Sequence, residues 1–266
     1  MNSRFSRLEA DLSSTTGDTQ ADGASAHSAP GELTRDATFH FARAEHAMHE
    51  GQHEQALQFF TRSLREDRSR LAAWVGQLQM LMELREDLEA RLWAEKSLDV
   101  FKGNGELLAC RAQASARIGD AAGAIAQSDL SIKAPGSSPL RWIARGETLL
   151  AGRPQLAAEC FAKALAEENA DWYVLVRIAR VHLRHDRPGP AAEHARNATA
   201  AAPERAFAWE TLGACNERLG LGARAAECYG TALQLAPARR ELRERITRAE
   251  GAGNRPLSWL WRKLRR

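Results

Sequence analysis

Six alanines recur along this chain at positions 56, 90, 124, 157, 191 and 225, at intervals of 34, 34, 33, 34 and 34 residues. A fixed period of about 20–50 residues marks a chain built from stacked copies of one supersecondary unit. Such a chain spreads its core along an array and offers extended surface rather than one deep pocket. Other residues keep the phase. Trp74, Trp142 and Trp209 fall 68 and 67 residues apart, and Gly51, Gly119, Gly152 and Gly220 fall 68, 33 and 68 apart. Pro203 and Pro237 differ by 34.

The last copy is the clearest. It reads Trp209, two residues, Leu212-Gly213, then Ala225, three residues, Tyr229, then Pro237. This resembles the tetratricopeptide repeat, with its W-x2-L-G, A-x3-F and P pattern. Ala56-x3-Phe60 and Ala157-x3-Phe161 repeat the middle part, while Asn216 stands where the family has tyrosine. The resemblance implies an all-α, right-handed superhelical α-solenoid of about six antiparallel helix pairs plus a C-terminal capping helix. Repeats are expected over 37–70, 71–104, 105–138, 139–171, 172–205 and 206–239.

The residues support the same reading independently. Each copy holds two apolar-periodic stretches of about a dozen residues, too short to persist as helices without packing. Small residues, such as Ala44, Ala112, Gly146, Ala179 and Gly213, recur in the first stretch and let the second approach closely. Gly51, Gly119, Gly152 and Gly220 mark turns where glycine relieves positive φ, and Pro188 and Pro190 mark the fifth turn. The 33-residue interval at Ala157 places a one-residue loss in the fourth turn. No segment alternates apolar and polar residues as a half-buried strand would.

Cys110, Cys160, Cys215 and Cys228 form no C-x-x-C, and Cys160 and Cys228 are 68 residues apart, one structural position two copies on. They read as small core residues rather than a metal or redox site. The net charge of +3 is uneven: residues 1–36 carry −3 and residues 238–266 carry +7. No early apolar run suits a signal peptide and no stretch is long enough to span a membrane, so the expected location is cytoplasmic. The excess of arginine over lysine suggests a bacterial origin.

Residues 1–36 read as disordered, poor in large apolar residues after Leu12. Within them Phe5, Leu8 and Leu12 stand at helical spacing, a short docking motif or a chance pattern. Residues 240–250 read as a polar capping helix, with Leu242 and Ile246 facing the sixth repeat. Residues 251–266 read as a linker and a basic amphipathic tail. In that tail Leu257, Leu260, Trp261 and Leu264 form one apolar stripe beside Trp259, and Arg262, Lys263, Arg265 and Arg266 crowd the end. Three readings stay open: an anionic membrane surface, a partner groove, or folding back on the array. RNA binding is the weaker reading, because one short segment offers few contacts.

Two motifs resemble catalytic or cofactor sites. His49-Glu50-Gly51-Gln52-His53 fits H-E-x-x-H, which binds zinc only on one unbroken helix. Gly51 is in phase with turn glycines, so the helix should break inside the motif. Gly220-Leu221-Gly222-Ala223-Arg224-Ala225 fits G-x-G-x-x-A, but a dinucleotide site needs a preceding strand, and a helix is expected there. No catalytic residue, metal or cofactor is assigned.

In the tetratricopeptide family the first helix of each repeat lines the concave face. Carried onto this sequence, the lining is Phe41 and Glu45; Val75 and Gln79; Gln113 and Arg117; Ile143 and Glu147; Val176, Arg180 and Arg184; and Glu210 and Glu217. Family members that bind chaperone tails grip a carboxylate with Lys, Asn and Arg in three adjacent first helices. Phe41 and Glu45 at the early places leave that clamp absent here. The expectation is a non-enzymatic scaffold that binds a protein or peptide segment in this groove, with Arg180 and Arg184 selecting acidic groups. The alternative is a tether anchored by the tail, and a metal-dependent hydrolase is the remote third.

Overall fold

The computed structural model describes residues 30–253, with side chains from 36 to 251. The Phe5–Leu12 motif and the Leu257–Arg266 tail lie outside them. Among the described residues the secondary structure is helix alone. In order the helices are α1 Pro30–His49, α2 His53–Glu66, α3 Leu71–Glu83, α4 Asp87–Val100, α5 Gly105–Arg117, α6 Ala121–Lys133 and α7 Pro139–Leu149. They continue with α8 Pro154–Ala166, α9 Trp172–Arg184, α10 Pro188–Ala201, α11 Ala206–Arg218, α12 Gly222–Leu235 and α13 Glu241–Gly253. The first helix starts at Pro30, ahead of the expected repeat boundary at 37, and the last runs on to Gly253. The described residues divide into two compact bodies between Cys160 and Phe161, within α8.

Helix starts follow local chemistry. Asn104 Oδ1 accepts from the amides of Glu106 and Leu107 at 3.0 and 3.1 Å. Asp171 Oδ1 accepts from Tyr173 and Val174 at 2.9 and 3.2 Å, and Asp120 caps Gly123 at 2.9 Å. Each satisfies amides with no partner inside the helix. Pro139, Pro154 and Pro188 open their helices, where a missing N–H costs nothing.

The turns inside the pairs obey the 34-residue phase more strictly than the glycines do. Gly51, Arg85, Gly119, Asp186 and Gly220 all adopt positive φ, between 54° and 92°. In each of these turns an amide three residues past the helix closes onto a carbonyl five residues back: Gln52 to Ala47, Glu86 to Leu81, Asp120 to Ser115, Arg187 to His182 and Leu221 to Asn216, all at 2.9–3.0 Å. That is the Schellman closure. Arg85 and Asp186 hold the left-handed position without glycine. Gly152, expected to relieve positive φ, does not adopt it. In the fourth turn the Arg153 amide instead bonds the Leu149 carbonyl, four residues back, at 2.7 Å. The missing residue removes the left-handed step, so glycine's freedom is unused there.

In the N-terminal body α1 packs on α2, α2 on α3, and so on to α6 on α7, each helix against its sequence neighbour. The in-phase alanines are 0–1 % exposed at 56, 90 and 124, and 0 % at 157, 191 and 225, as their spacing implies. Gly76 lies against the Phe60 ring so closely that any side chain there would clash. The in-phase tryptophans are anchors as well as filler. Trp74 Nε1 donates to the Arg68 carbonyl (2.9 Å), Trp142 to Ser137 Oγ (3.2 Å) and Trp209 to the Pro203 carbonyl (2.8 Å). Each pins the loop that leads into its own helix. In the C-terminal body α9–α10, α10–α11, α11–α12 and α12–α13 pack likewise. There a Cβ on Gly213 would meet Tyr229 at 2.6 Å. Leu242 and Ala249 of α13 are fully buried with Tyr229, covering the end of the core.

Candidate functional site: the face of the first helices

First helices of successive pairs lie side by side. In the N-terminal body α1 touches α3, α3 touches α5 and α5 touches α7; in the C-terminal body α9 touches α11. The first helices of the two bodies carry the thirteen expected lining residues; the Arg117 side chain is 5 % exposed, and the others differ in accessibility. Val75, Gln113, Ile143, Glu147, Val176 and Glu210 are buried. Phe41, Gln79, Arg180, Arg184 and Glu217 are half-buried, and Glu45 is exposed.

The buried polar members of the N-terminal body hold one another. Arg117 Nε donates to Glu147 Oε1 at 2.8 Å and Nη2 to Oε2 at 2.9 Å, a bidentate pair. Gln113 Nε2 donates to the same carboxylate. Arg117 Nη1 reaches the Met82 carbonyl at 3.2 Å and lies 3.6 Å from Asp87 Oδ1. The Arg117 side chain is 5 % exposed and that of Glu147 is 0 % exposed. Burial opposes the Arg117 charge, but Glu147, joined by Glu83 and Asp87, raises its pKa above the ordinary arginine value. This cluster ties α5 to α7 and to the end of α3.

A second set closes the C-terminal body. Arg239, just before α13, pairs with Glu210 at 2.5 Å and with Glu241 at 2.7 Å, and Arg245 reaches Glu210 at 3.1 Å. Burial works against Arg239's charge, and Glu210 and Glu241 together raise its pKa. Tyr229 Oη donates to Glu217 at 2.8 Å, and burial with the Glu217 charge pushes the Tyr229 hydroxyl up. Both expected glutamates of the sixth repeat are thus engaged by their own array.

Sequence reasoning missed a residue at the edge of this face. Arg70 places its guanidinium 5.2 Å from the Phe41 ring centroid and donates to Thr38 Oγ1 at 2.7 Å. Burial raises the Glu45 pKa, against the pull of Arg70. Arg70, Arg205 and Arg239 share one phase of the repeat, and Arg70 and Arg239 both reach back from the end of their repeat to a lining residue of its first helix. Their spacing was the available signal. In the C-terminal body Arg180 stacks on the buried Phe207 ring at 5.3 Å.

The other motifs are placed by the same turns. α1 ends at His49 and α2 begins at His53, so H-E-x-x-H spans a turn with Gly51 at φ 71°. G-x-G-x-x-A follows α11, a helix, and starts α12. All four cysteines are buried free thiols; burial pushes Cys215 up to about 12 and raises Cys228. Among the described residues no helix is long and apolar enough to cross a membrane.

No family profile matches the chain, and no curated protein matches it. Solved structures do. A tetratricopeptide repeat protein from Parabacteroides merdae ATCC 43184 aligns over 84 % of this chain and 91 % of its own, at 14 % identity and a TM-score of 0.50. The Cut9–Hcn1 assembly of the APC/C aligns over 83 % of this chain at 14 % identity and a TM-score of 0.48; the match spans 45 % of that longer chain. YrrB, a TPR protein described with an unusual peptide-binding site, aligns over 69 % of this chain and 94 % of its own, at 15 % identity and a TM-score of 0.38. The 34-residue phase, the paired helices with their repeated turn closures, and the likeness to the Parabacteroides protein agree: this chain has the tetratricopeptide-repeat fold.

Proposed function

We propose that the protein is a non-enzymatic interaction scaffold that binds an extended or helical segment of a partner on the first-helix face. The observation that carries this is in the C-terminal body. Arg180 and Arg184 stand one turn apart on α9, half-buried, and the Arg180 guanidinium is braced on the Phe207 ring. A charge held in place in partly apolar surroundings favours an acidic ligand group with little ordering cost. In the N-terminal body the accessible contacts are Phe41, Glu45 and Gln79, while Gln113, Arg117 and Glu147 form the wall behind them. The cytoplasm is part of the same reading.

The test is a fluorescence-polarisation screen of acidic, neutral and basic peptides against the full chain and the Arg180→Glu, Arg184→Glu variant. Acidic peptides should bind with Kd in the micromolar range, weakening by about tenfold or more in the variant. Equal binding of acidic peptides by both proteins, or no peptide binding, refutes the proposal. A tethering role is the second reading, favoured by the apolar stripe and four basic residues of the tail. Flotation on anionic vesicles with and without residues 256–266 decides it.

A further inference from the structure

The outer side of the first helix pair carries a surface that its own array leaves unfinished. Phe39 is 57 % exposed on α1. His40 stacks on Phe59 of α2 at 6.3 Å, and its buried Nδ1 has no hydrogen-bond partner. Arg43 lies 4.8 Å from the Phe59 centroid and 5.8 Å from Phe39, and Arg62 lies 5.6 Å from Phe59. Both arginines are exposed, and no carboxylate among the described residues pairs with either. Helical arrays need a polar outer face on their terminal unit. The outer side of the first described pair instead presents aromatic rings under two guanidiniums, a surface suited to an occupant with both apolar side chains and carboxylates.

We propose that residues 5–12 of the same chain are that occupant. Phe5, Leu8 and Leu12 fall on one face of a helix, and Glu9 and Asp11 flank them. Residues 1–29 carry two arginines against four carboxylates, opposite in sign to the patch. Reach is ample. Phe39 lies nine residues into α1, about 14 Å along its axis. The 17 residues from 13 to 29 can span about 55 Å. Tethering gives the segment an effective concentration in about the millimolar range, which a free competitor must match. A second copy is the poorer fit, because a two-fold interface through this patch would set Arg43 and Arg62 against their own counterparts.

The experiment uses the full chain with Ser6→Cys and Gln55→Cys. Gln55 is exposed on α2, one turn before Phe59, and the four native cysteines are buried. Mild oxidation should form an intramolecular disulfide about tenfold faster than in the same protein carrying Leu8→Glu and Leu12→Glu. Arg43→Glu with Arg62→Glu should slow it likewise, and adding Glu9→Arg and Asp11→Arg to that pair should restore it. Circular dichroism confirms unchanged helix content in each variant. Equal rates throughout would overturn the proposal, as would disulfides formed only between chains.

Discussion

Removing one partner of the Arg117–Glu147 pair should destabilise the N-terminal body more than any surface change. In Glu147→Leu, Arg117 keeps its charge in a site where its side chain is 5 % exposed, losing its bidentate partner and keeping the Met82 carbonyl at 3.2 Å, Asp87 at 3.6 Å and the more distant Glu83 charge. Gln113, 3 % exposed, loses its acceptor too. In Arg117→Met, a carboxylate with no exposure loses its bidentate partner while keeping the Gln113 amide. Stranding one member of a buried pair costs about 3–5 kcal/mol, and each single variant should fall in that range. The double variant Arg117→Met, Glu147→Leu removes both charges and fills the space with apolar atoms, so it should cost less than either single change.

Urea unfolding reads the difference, followed by fluorescence of Trp74, Trp93 and Trp142 and checked by hydrogen exchange on α5 and α7. Exchange matters because repeat arrays can unfold in parts, so one global free energy is not assured. With a slope of about 2 kcal/mol per molar, the single variants should lower the midpoint by about 2 M. Raising salt should change little, since the pair is dry. Arg117's pKa is raised, so its contribution is complete at every pH below the ordinary arginine value, and no alkaline loss is expected below about pH 12. A single-variant cost under about 1 kcal/mol, or a double variant equal to the sum of the singles, would refute the reasoning.

Three further outcomes follow from single sites. Burial, then His194, Arg187 and His185, pushes His182 down to about 4. Its unfolded form takes up a proton near pH 6.5, and burial lowers the His194 pKa as well, so C-terminal-body stability should be full above that pH and fall by about 3 kcal/mol toward pH 4, a loss reduced in His182→Leu thermal melts. Arg85 sits at φ 65°, so Arg85→Gly should raise the unfolding midpoint, stabilising by about 0.5–1 kcal/mol. Arg141 donates to the Ser131 carbonyl in the last turn of α6 and to the Ala134, Pro135 and Gly136 carbonyls just past it, and Arg141→Met should cost about 2–3 kcal/mol in chemical denaturation.

Phase made the helix pairs legible because each in-phase alanine reports a local requirement, a tight contact that only a small residue allows. The turns were half legible for a related reason. Glycine advertises positive φ, but the Schellman closure needs only the backbone, so Arg85 and Asp186 adopt it unannounced and Gly152 advertises a turn that is not made. Which helices carry the expected lining was legible, since the phase assigns each residue to the first or second helix of its pair. Whether a lining residue is available to a ligand depends on residues about one repeat away. Glu147 is taken by Arg117, 30 positions back, and Glu210 by Arg239, 29 positions on. A periodic reading assigns all repeats the same face and therefore treats these residues as equivalent to Glu45, which is exposed. The physical distinction is a polar partner supplied by another segment of the array, as at Gln113, Arg117, Glu147 and Glu210, where the expected lining residue has become part of the packing between helices. Specific binding in the N-terminal body is therefore to be sought at Glu45 and Gln79.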